Sequence, residues 1–307
     1  MMRRAAFFCL TGLVFLTMFL SGCQTSSRQS ADPDEPPVYS PLKVLVPSAD
    51  GTETLGYSPL VLDISNVSQG YMVAQAEPSE GKFHIQILGP DQVTYSYFTD
   101  GDTEAVIPLT GGDGEYTITA YQQISGDQYA ALFAQVLDIK LDNIFLPFLY
   151  PNQYVDFTPD SEACKLAQSM LPEDATDLDG VDAIYTYVIG NITYDETKAM
   201  TVENGYLPDV DKTLETGTGI CFDYAALMAA MLRSRDIPCK LQIGYSNEIK
   251  HAWIDVYIRS IGWVDQAIAF DGKDWTRMDP TFKSTSDGDE IQEYIGDGTN
   301  YTVQFSR

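Results

Sequence analysis

Three residues in the second half of this 307-residue chain could act together in nucleophilic catalysis: Cys221, His251 and Asp279. A thiol supplies a nucleophile, an imidazole takes and returns its proton, and a carboxylate holds the imidazole in the correct tautomer. Thirty residues separate the first pair and 28 the second, so the three groups can meet only through a fold. Thr218-Gly219-Ile220-Cys221 reads as a loop that delivers the cysteine to the first turn of a helix. That helix carries Ala225, Leu227, Met228, Met231 and Leu232 until Asp236-Ile237-Pro238 stops it. Unpaired N–H groups and the positive end of the helix dipole lower a thiol's pKa at such a place, populating the thiolate near neutrality. His251 precedes a stretch that alternates like a strand from Trp253 on, and Asp279 ends another strand-like stretch after Trp275-Thr276-Arg277. In Phe83-His84-Ile85-Gln86-Ile87, alternation turns His84 outward as a surface residue. Since the chain has two histidines, His251 is left as the candidate for imidazole chemistry.

The runs Gly-Ile-Cys-Phe-Asp-Tyr-Ala-Ala-Leu at 219–227, Gly244-Tyr245, His251-Ala252-Trp253 and Met278-Asp279-Pro280-Thr281 occur in an order that resembles the transglutaminase-like superfamily of papain-type cysteine enzymes. The resemblance spans roughly residues 160–285. It implies Cys221 as nucleophile, His251 as base and Asp279 as orienter. It also implies an α+β domain with the nucleophile at a helix N-terminus and the histidine and aspartate on antiparallel strands. The implied chemistry is attack on a peptide bond or glutamine side chain through a thioester, with no cofactor and no metal. Water would make the enzyme a hydrolase, and a lysine amine would make it a crosslinking transferase. One departure weighs against crosslinking. Animal transglutaminases use a tryptophan as second oxyanion donor, whereas Trp253, Trp263 and Trp275 all follow Cys221. Tyr194 or a residue of the 196–218 segment is the expected substitute. The competing reading is a catalytically silent surface module whose β-rich half engages a partner.

The N-terminus carries the second strong signal. Met1-Met2-Arg3-Arg4 is basic, Ala5 to Leu20 is almost wholly apolar, and Leu20-Ser21-Gly22-Cys23 follows. This reads as a secretory signal peptide over residues 1–22. Leu-Ser-Gly-Cys resembles the bacterial lipobox, which implies cleavage before Cys23 and lipid attachment there. The expected location is the extracytoplasmic face of a bacterial cell membrane, held by more than one acyl chain. Net charge is −26 for the whole chain, and −28 with 16 basic against 44 acidic residues once Arg3 and Arg4 leave. Nucleic acid is excluded as a partner, because phosphate binding needs a concentrated basic surface. Expected partners are a protein or peptide substrate, including cell-wall or surface proteins, and the protein is expected to be a monomer.

The remaining sequence divides by texture. Residues 23–37 hold no aliphatic side chain larger than alanine and read as a tether. Residues 38–142 show short alternating segments at 43–46, 60–64, 71–75, 82–88, 93–98, 105–109, 116–121 and 129–141, separated by glycine-rich turns. They predict an immunoglobulin-like β-sandwich. An apolar, proline-broken connector covers 143–157, and the transglutaminase-like domain covers 158–307. There the sequence predicts helices from Ser161 and from Asp179, the latter ending at Gly190-Asn191, and a short extended piece at 192–195. It predicts a mobile loop over 196–218 and a last strand at 301–305. Asp177-Leu178-Asp179-Gly180 hints at a calcium loop, but Ala175 and Thr186 occupy the carboxylate positions, which excludes an EF-hand. Cys164 and Cys239 lie in apolar stretches and are expected to be buried thiols, with a disulfide between them as the less favoured arrangement.

Overall fold

A computed structural model describes residues 44–307 apart from 79–80, 173–174, 247, 266–267, 271–274 and 278–300. Cys23 and Asp279 therefore lie outside the described residues. The described residues belong to one compact unit built around two apolar cores.

The first core lies between two four-stranded antiparallel sheets. Strands β1 (Thr54–Tyr57), β2 (Leu60–Asp63), β3 (Tyr71–Ala76) and β6 (Ala105–Pro108) form one sheet in the order β1-β2-β3-β6. Strands β4 (Phe83–Leu88), β5 (Thr94–Thr99), β7 (Gly114–Ser125) and β8 (Gln128–Ile139) form the other in the order β5-β4-β7-β8. Alternation delivers Leu60, Leu62, Met72 and Ala74 from one sheet and Phe83, Ile85, Ile87 and Ile118 from the other into a shared cluster. At the mouth of β7 the Tyr116 hydroxyl donates to the Gly112 carbonyl at 2.8 Å, four residues earlier. The segment expected as a strand at 43–46 does not form one where it is described. Val44 packs partly buried against the second core, but Val46, which would share its face in a strand, is 61% exposed, and Pro47 has no N–H to give a ladder. Strand β1, which sequence alternation missed, is a four-residue edge strand that contributes only Leu55, partly buried, to the first core.

His84 does turn away from the core, yet it is half-buried. Its ring stacks on Phe98 with centroids 4.4 Å apart, near Tyr121 and Tyr129, and Nε2 lies 3.0 Å from the Ser96 hydroxyl. Loss of water lowers its pKa below the usual histidine value of 6.5. The fold thus favours the neutral ring, and this contribution to stability is present above pH 6.5 and lost as the pH falls through the folded pKa. Acidification from about pH 7.5 to 5 is expected to lower the urea midpoint, and His84→Phe to flatten that decline. An equally steep decline in the variant would refute the assignment.

The second core surrounds one helix. Helices α1 (Glu162–Met170), α2 (Asp177–Asn191), α3 (Glu196–Thr201), α4 (Val210–Thr216) and α5 (Cys221–Arg233) precede strands β11 (Cys239–Ser246), β12 (Ile249–Ile258) and β13 (Gly262–Val264). With β16 (Tyr301–Ser306) these form a sheet in the order β13-β12-β11-β16. Short strands β9 (Thr193–Tyr194) and β10 (Thr218–Gly219) pair in parallel, and β14 (Ile268–Phe270) pairs with β15 (Trp275–Arg277). Helix α5 is buried along every residue from Asp223 to Arg233 and packs on α1, α2, α4, β11 and β12. A helix apolar on all sides belongs at the centre of a domain. The helix expected from Asp179 begins two residues earlier, because Thr176 and Asp179 form a capping box.

Contacts run between the halves. Phe145 and Phe148 of the connector lie against Trp263, with centroids 6.1 and 5.4 Å away. Arg307, after β16, stacks on Tyr95, Tyr97 and Tyr154 and donates to the Tyr97 hydroxyl at 2.8 Å. Tyr154 in turn touches Phe222, the second residue of α5.

Candidate active site

Cys221 occupies the first position of α5 and is half-exposed. Its setting is fixed from below. Strand β10 lies beside β9, with the Thr193 amide donating to the Gly217 carbonyl and the Asp195 amide to the Gly219 carbonyl at 2.8 and 2.9 Å. Gly219 must be glycine, since a Cβ there would come within 2.7 Å of the Asp223 Cβ. Ile220 is extended (φ −99°, ψ 175°), and its amide donates to the Asp223 carboxylate at 2.8 Å, the reciprocal half of a capping box. The chain thereby turns from strand to helix at the residue that carries the sulfur. The Cys221 amide is one of the first-turn N–H groups for which the helix itself supplies no carbonyl.

His251 is the third residue of β12 and 6% exposed. It lies opposite Gly244 on β11, with Trp253 and Tyr301 rings 6.4 and 6.3 Å from its own. Gly244 leaves room for this: a Cβ would fall 2.0 Å from the Thr302 carbonyl and 2.9 Å from the Trp253 ring. Helix α5 packs on β12, so the elements bearing thiol and imidazole are direct neighbours. Sequence alternation began the strand at Trp253, whereas β12 starts at Ile249 and includes the histidine.

The other two described thiols are buried and form no disulfide. Burial pushes Cys164 up to about 11 and Cys239 up to about 12, a change that a hydrogen bond to Ser234 and the Arg233 charge, respectively, only partly offset. Neither is a nucleophile near neutral pH. Among the described residues no group of acidic, histidine or cysteine side chains could hold a metal ion.

The segment 196–218 corrects the expectation of an irregular loop. Helices α3 and α4 form there, capped by Asp195 and Asp209, whose carboxylates accept from the Lys198 and Lys212 amides at 2.9 Å. Lys198 and Tyr206, which sequence reasoning had not singled out, reach Asp223. The Lys198 ammonium lies 2.7 Å from its Oδ2, and the Tyr206 hydroxyl donates to Oδ1. Asp223 itself was detectable, standing three residues after the residue that precedes the helix. A cavity of about 220 Å³ between α3, α4 and β10 is lined in part by Lys198, Tyr206 and Thr218.

Residues 165–280 match the model of the transglutaminase-like superfamily. A curated relative, the uncharacterized protein YebA of Bacillus subtilis, is 24% identical over 187 residues, covering 54% of this chain. This chain spans a quarter of that relative's length. Among solved structures, a putative cysteine protease from Cytophaga hutchinsonii is 19% identical, covering 63% of this chain and 77% of that one at a TM-score of 0.33. The periplasmic domain of TgpA from Pseudomonas aeruginosa is 15% identical, covering 78% and 76% at 0.34. Scores of this size establish neither a common architecture nor a common activity.

Proposed function

Proceeding from a transglutaminase-like domain at residues 165–280, we propose that the protein is a cysteine enzyme acting on amide bonds of proteins or peptides. In this reading it works from the extracytoplasmic face of a bacterial membrane, anchored by lipid on Cys23. The observation that carries it is the placement of Cys221: a half-exposed thiol at the first position of a buried helix, on an element packed against the strand of His251.

The reaction follows from those groups. His251 takes the Cys221 proton, and the thiolate adds to the amide carbonyl carbon. The Cys221 N–H stabilises the oxyanion, a contact of a type worth about 2.7–4 kcal/mol. As the C–N bond breaks, the imidazolium returns its proton to the leaving amine, and a thioester remains on Cys221. Water or a primary amine then adds to the thioester and releases the thiol. Asp279 serves as orienter in this scheme. Residues 38–142 are read as an immunoglobulin-like sandwich, an assignment favoured by the Tyr116 hydroxyl bond to the Gly112 carbonyl, which resembles a tyrosine corner. Residues 143–157 are read as the connector and 158–307 as the catalytic domain.

Incubating the protein with a peptide library and a primary amine, followed by mass analysis, is expected to show cleavage, deamidation or amine addition. Unchanged masses across the library would count against the enzyme and favour the silent binding module.

A further inference from the structure

Asp223 poses an electrostatic difficulty for a thiolate at Cys221. Its side chain is fully buried, and it stands two helix positions from the sulfur-bearing residue; side chains so spaced do not face each other, so the charges are farther apart than the roughly 5–6 Å between the Cα atoms. A carboxylate there caps the Ile220 amide, which the turn requires, but it also repels a second negative charge. At the effective dielectric of a protein surface, a like charge within about 10 Å raises a thiol's pKa by about one unit, which works against the helix N-terminus.

The structure holds a counter-charge in place. Lys198 Nζ lies 2.7 Å from Asp223 Oδ2 and 2.7 Å from the Tyr206 hydroxyl, with its charge 4.5 Å from the Tyr206 ring centroid. The Tyr206 hydroxyl donates to the other carboxylate oxygen. Burial works against the ammonium, but its bonds to Asp223 and Tyr206 outweigh this and its pKa lies above the ordinary lysine value. Burial likewise keeps Tyr206 protonated. Among the described residues, other titratable groups on the elements around this turn include Glu196 on α3, Asp209 at the cap of α4, Asp211, Lys212 and Glu215 on α4, Tyr194 and Asp195 at the end of β9, Tyr224 on α5, His251 on β12 and Tyr301 on β16. Tyr224 donates to the Ile192 carbonyl, and Asp195 and Asp211 accept from the Lys198 and Ala163 amides. Lys198 is the cation bonded to Asp223.

We propose that Lys198, steadied by Tyr206, is a positioning residue for the nucleophile: it neutralises the Asp223 carboxylate, so that the helix N-terminus and His251 govern the ionisation of Cys221. The proposal rests on Cys221 being the nucleophile. It also gives the 196–218 segment a role, since α3 carries the lysine that reaches Asp223 on α5.

The test follows iodoacetamide alkylation of Cys221 in the full chain, located by peptide mass, from pH 4 to 10. Lys198→Met is expected to raise the midpoint by about one unit, slowing labelling below the midpoint about tenfold, while the high-pH plateau is unchanged. Lys198→Arg should restore the wild-type midpoint. Lys198→Met combined with Asp223→Asn should return it as well, and Asp223→Asn alone should lower it. A purely structural role for Lys198 would depress the plateau without moving the midpoint, and that outcome overturns the proposal. So does a midpoint in Asp223→Asn above that of the wild type, which remains readable if Lys198→Met fails to fold. A wild-type Cys221 that titrates like an ordinary thiol would instead remove the nucleophile assignment, and is distinguished because it is read without any variant.

Discussion

Cys221→Ala is expected to abolish rapid labelling by a thiol reagent at pH 7 and to reduce amide turnover by about 10⁴-fold or more. Cys164→Ala and Cys239→Ala are expected to keep both. The contrast follows from where the sulfurs are. Cys164 and Cys239 are fully buried, with thiols pushed up to about 11 and about 12, so under one in a thousand is ionised at pH 7. Cys221 meets solvent at a helix N-terminus, where thiolates are favoured. Alanine at that position keeps helix propensity, and the sulfur it removes is half-exposed, so stability should change by less than about 1 kcal/mol. Loss of activity with an unchanged unfolding midpoint therefore reports chemistry. The measurement is intact mass after a short iodoacetamide pulse, paired with turnover of whichever peptide the library yields. Equal labelling of wild type and Cys221→Ala would place the reactive sulfur elsewhere and end this mechanism.

How far the sequence revealed the site depended on the range of the signals. Helix α5 was legible because its cues are local: a glycine-loosened entry, an apolar run too dense for a surface helix, and Asp236-Ile237-Pro238 as a stop. Strands β2 to β8 were legible through alternation and turn residues. Helices α3 and α4 were not, because α3 buries no residue and α4 buries only Val210 and Thr213, too few for a period to show. Each is one or two turns long and is held by an aspartate cap, and α3 also by the Lys198 bond to Asp223. Periodicity is silent for such helices, although the caps themselves were in plain view at Asp195 and Asp209. The Lys198–Asp223 pair spans 25 residues and Arg307 reaches Tyr97 across 210. Pairings at that separation leave no local trace, because the chain path between them decides whether they meet. The same limit kept the sheet order β13-β12-β11-β16 out of reach, since the last strand joins beside β11 rather than beside its sequence neighbours.

Arg233→Met is expected to lower unfolding free energy by about 3 kcal/mol, a large part of the 5–15 kcal/mol typical of a domain. Arg233 is 2% exposed, and among the described residues its guanidinium pairs with no Asp or Glu side chain; it donates to main-chain oxygens. Nε and one terminal nitrogen reach the Cys239 carbonyl at 3.0 and 2.8 Å, the other reaches Tyr150 at 2.8 Å, and a further bond reaches Arg307 at 2.8 Å. Burial pulls its pKa down to about 10, so it remains charged at neutral pH. Two effects compete on substitution. Methionine removes the unfavourable burial of a charge, which by itself would stabilise the fold. It also strips donors from buried carbonyls that remain, at about 1–3 kcal/mol for each left unsatisfied. The Arg307 main-chain oxygen also accepts from the Leu241 amide, so the loss falls on Tyr150 and Cys239, and two carbonyls outweigh the recovered desolvation. Lysine should rescue little, because one ammonium cannot span acceptors that the planar fork reaches in three directions. Urea denaturation followed by tryptophan fluorescence measures the difference. A midpoint for Arg233→Met equal to that of the wild type would mean that water satisfies both carbonyls, and the joint between the connector, the end of α5 and the start of β11 would then be held by its aromatic contacts alone.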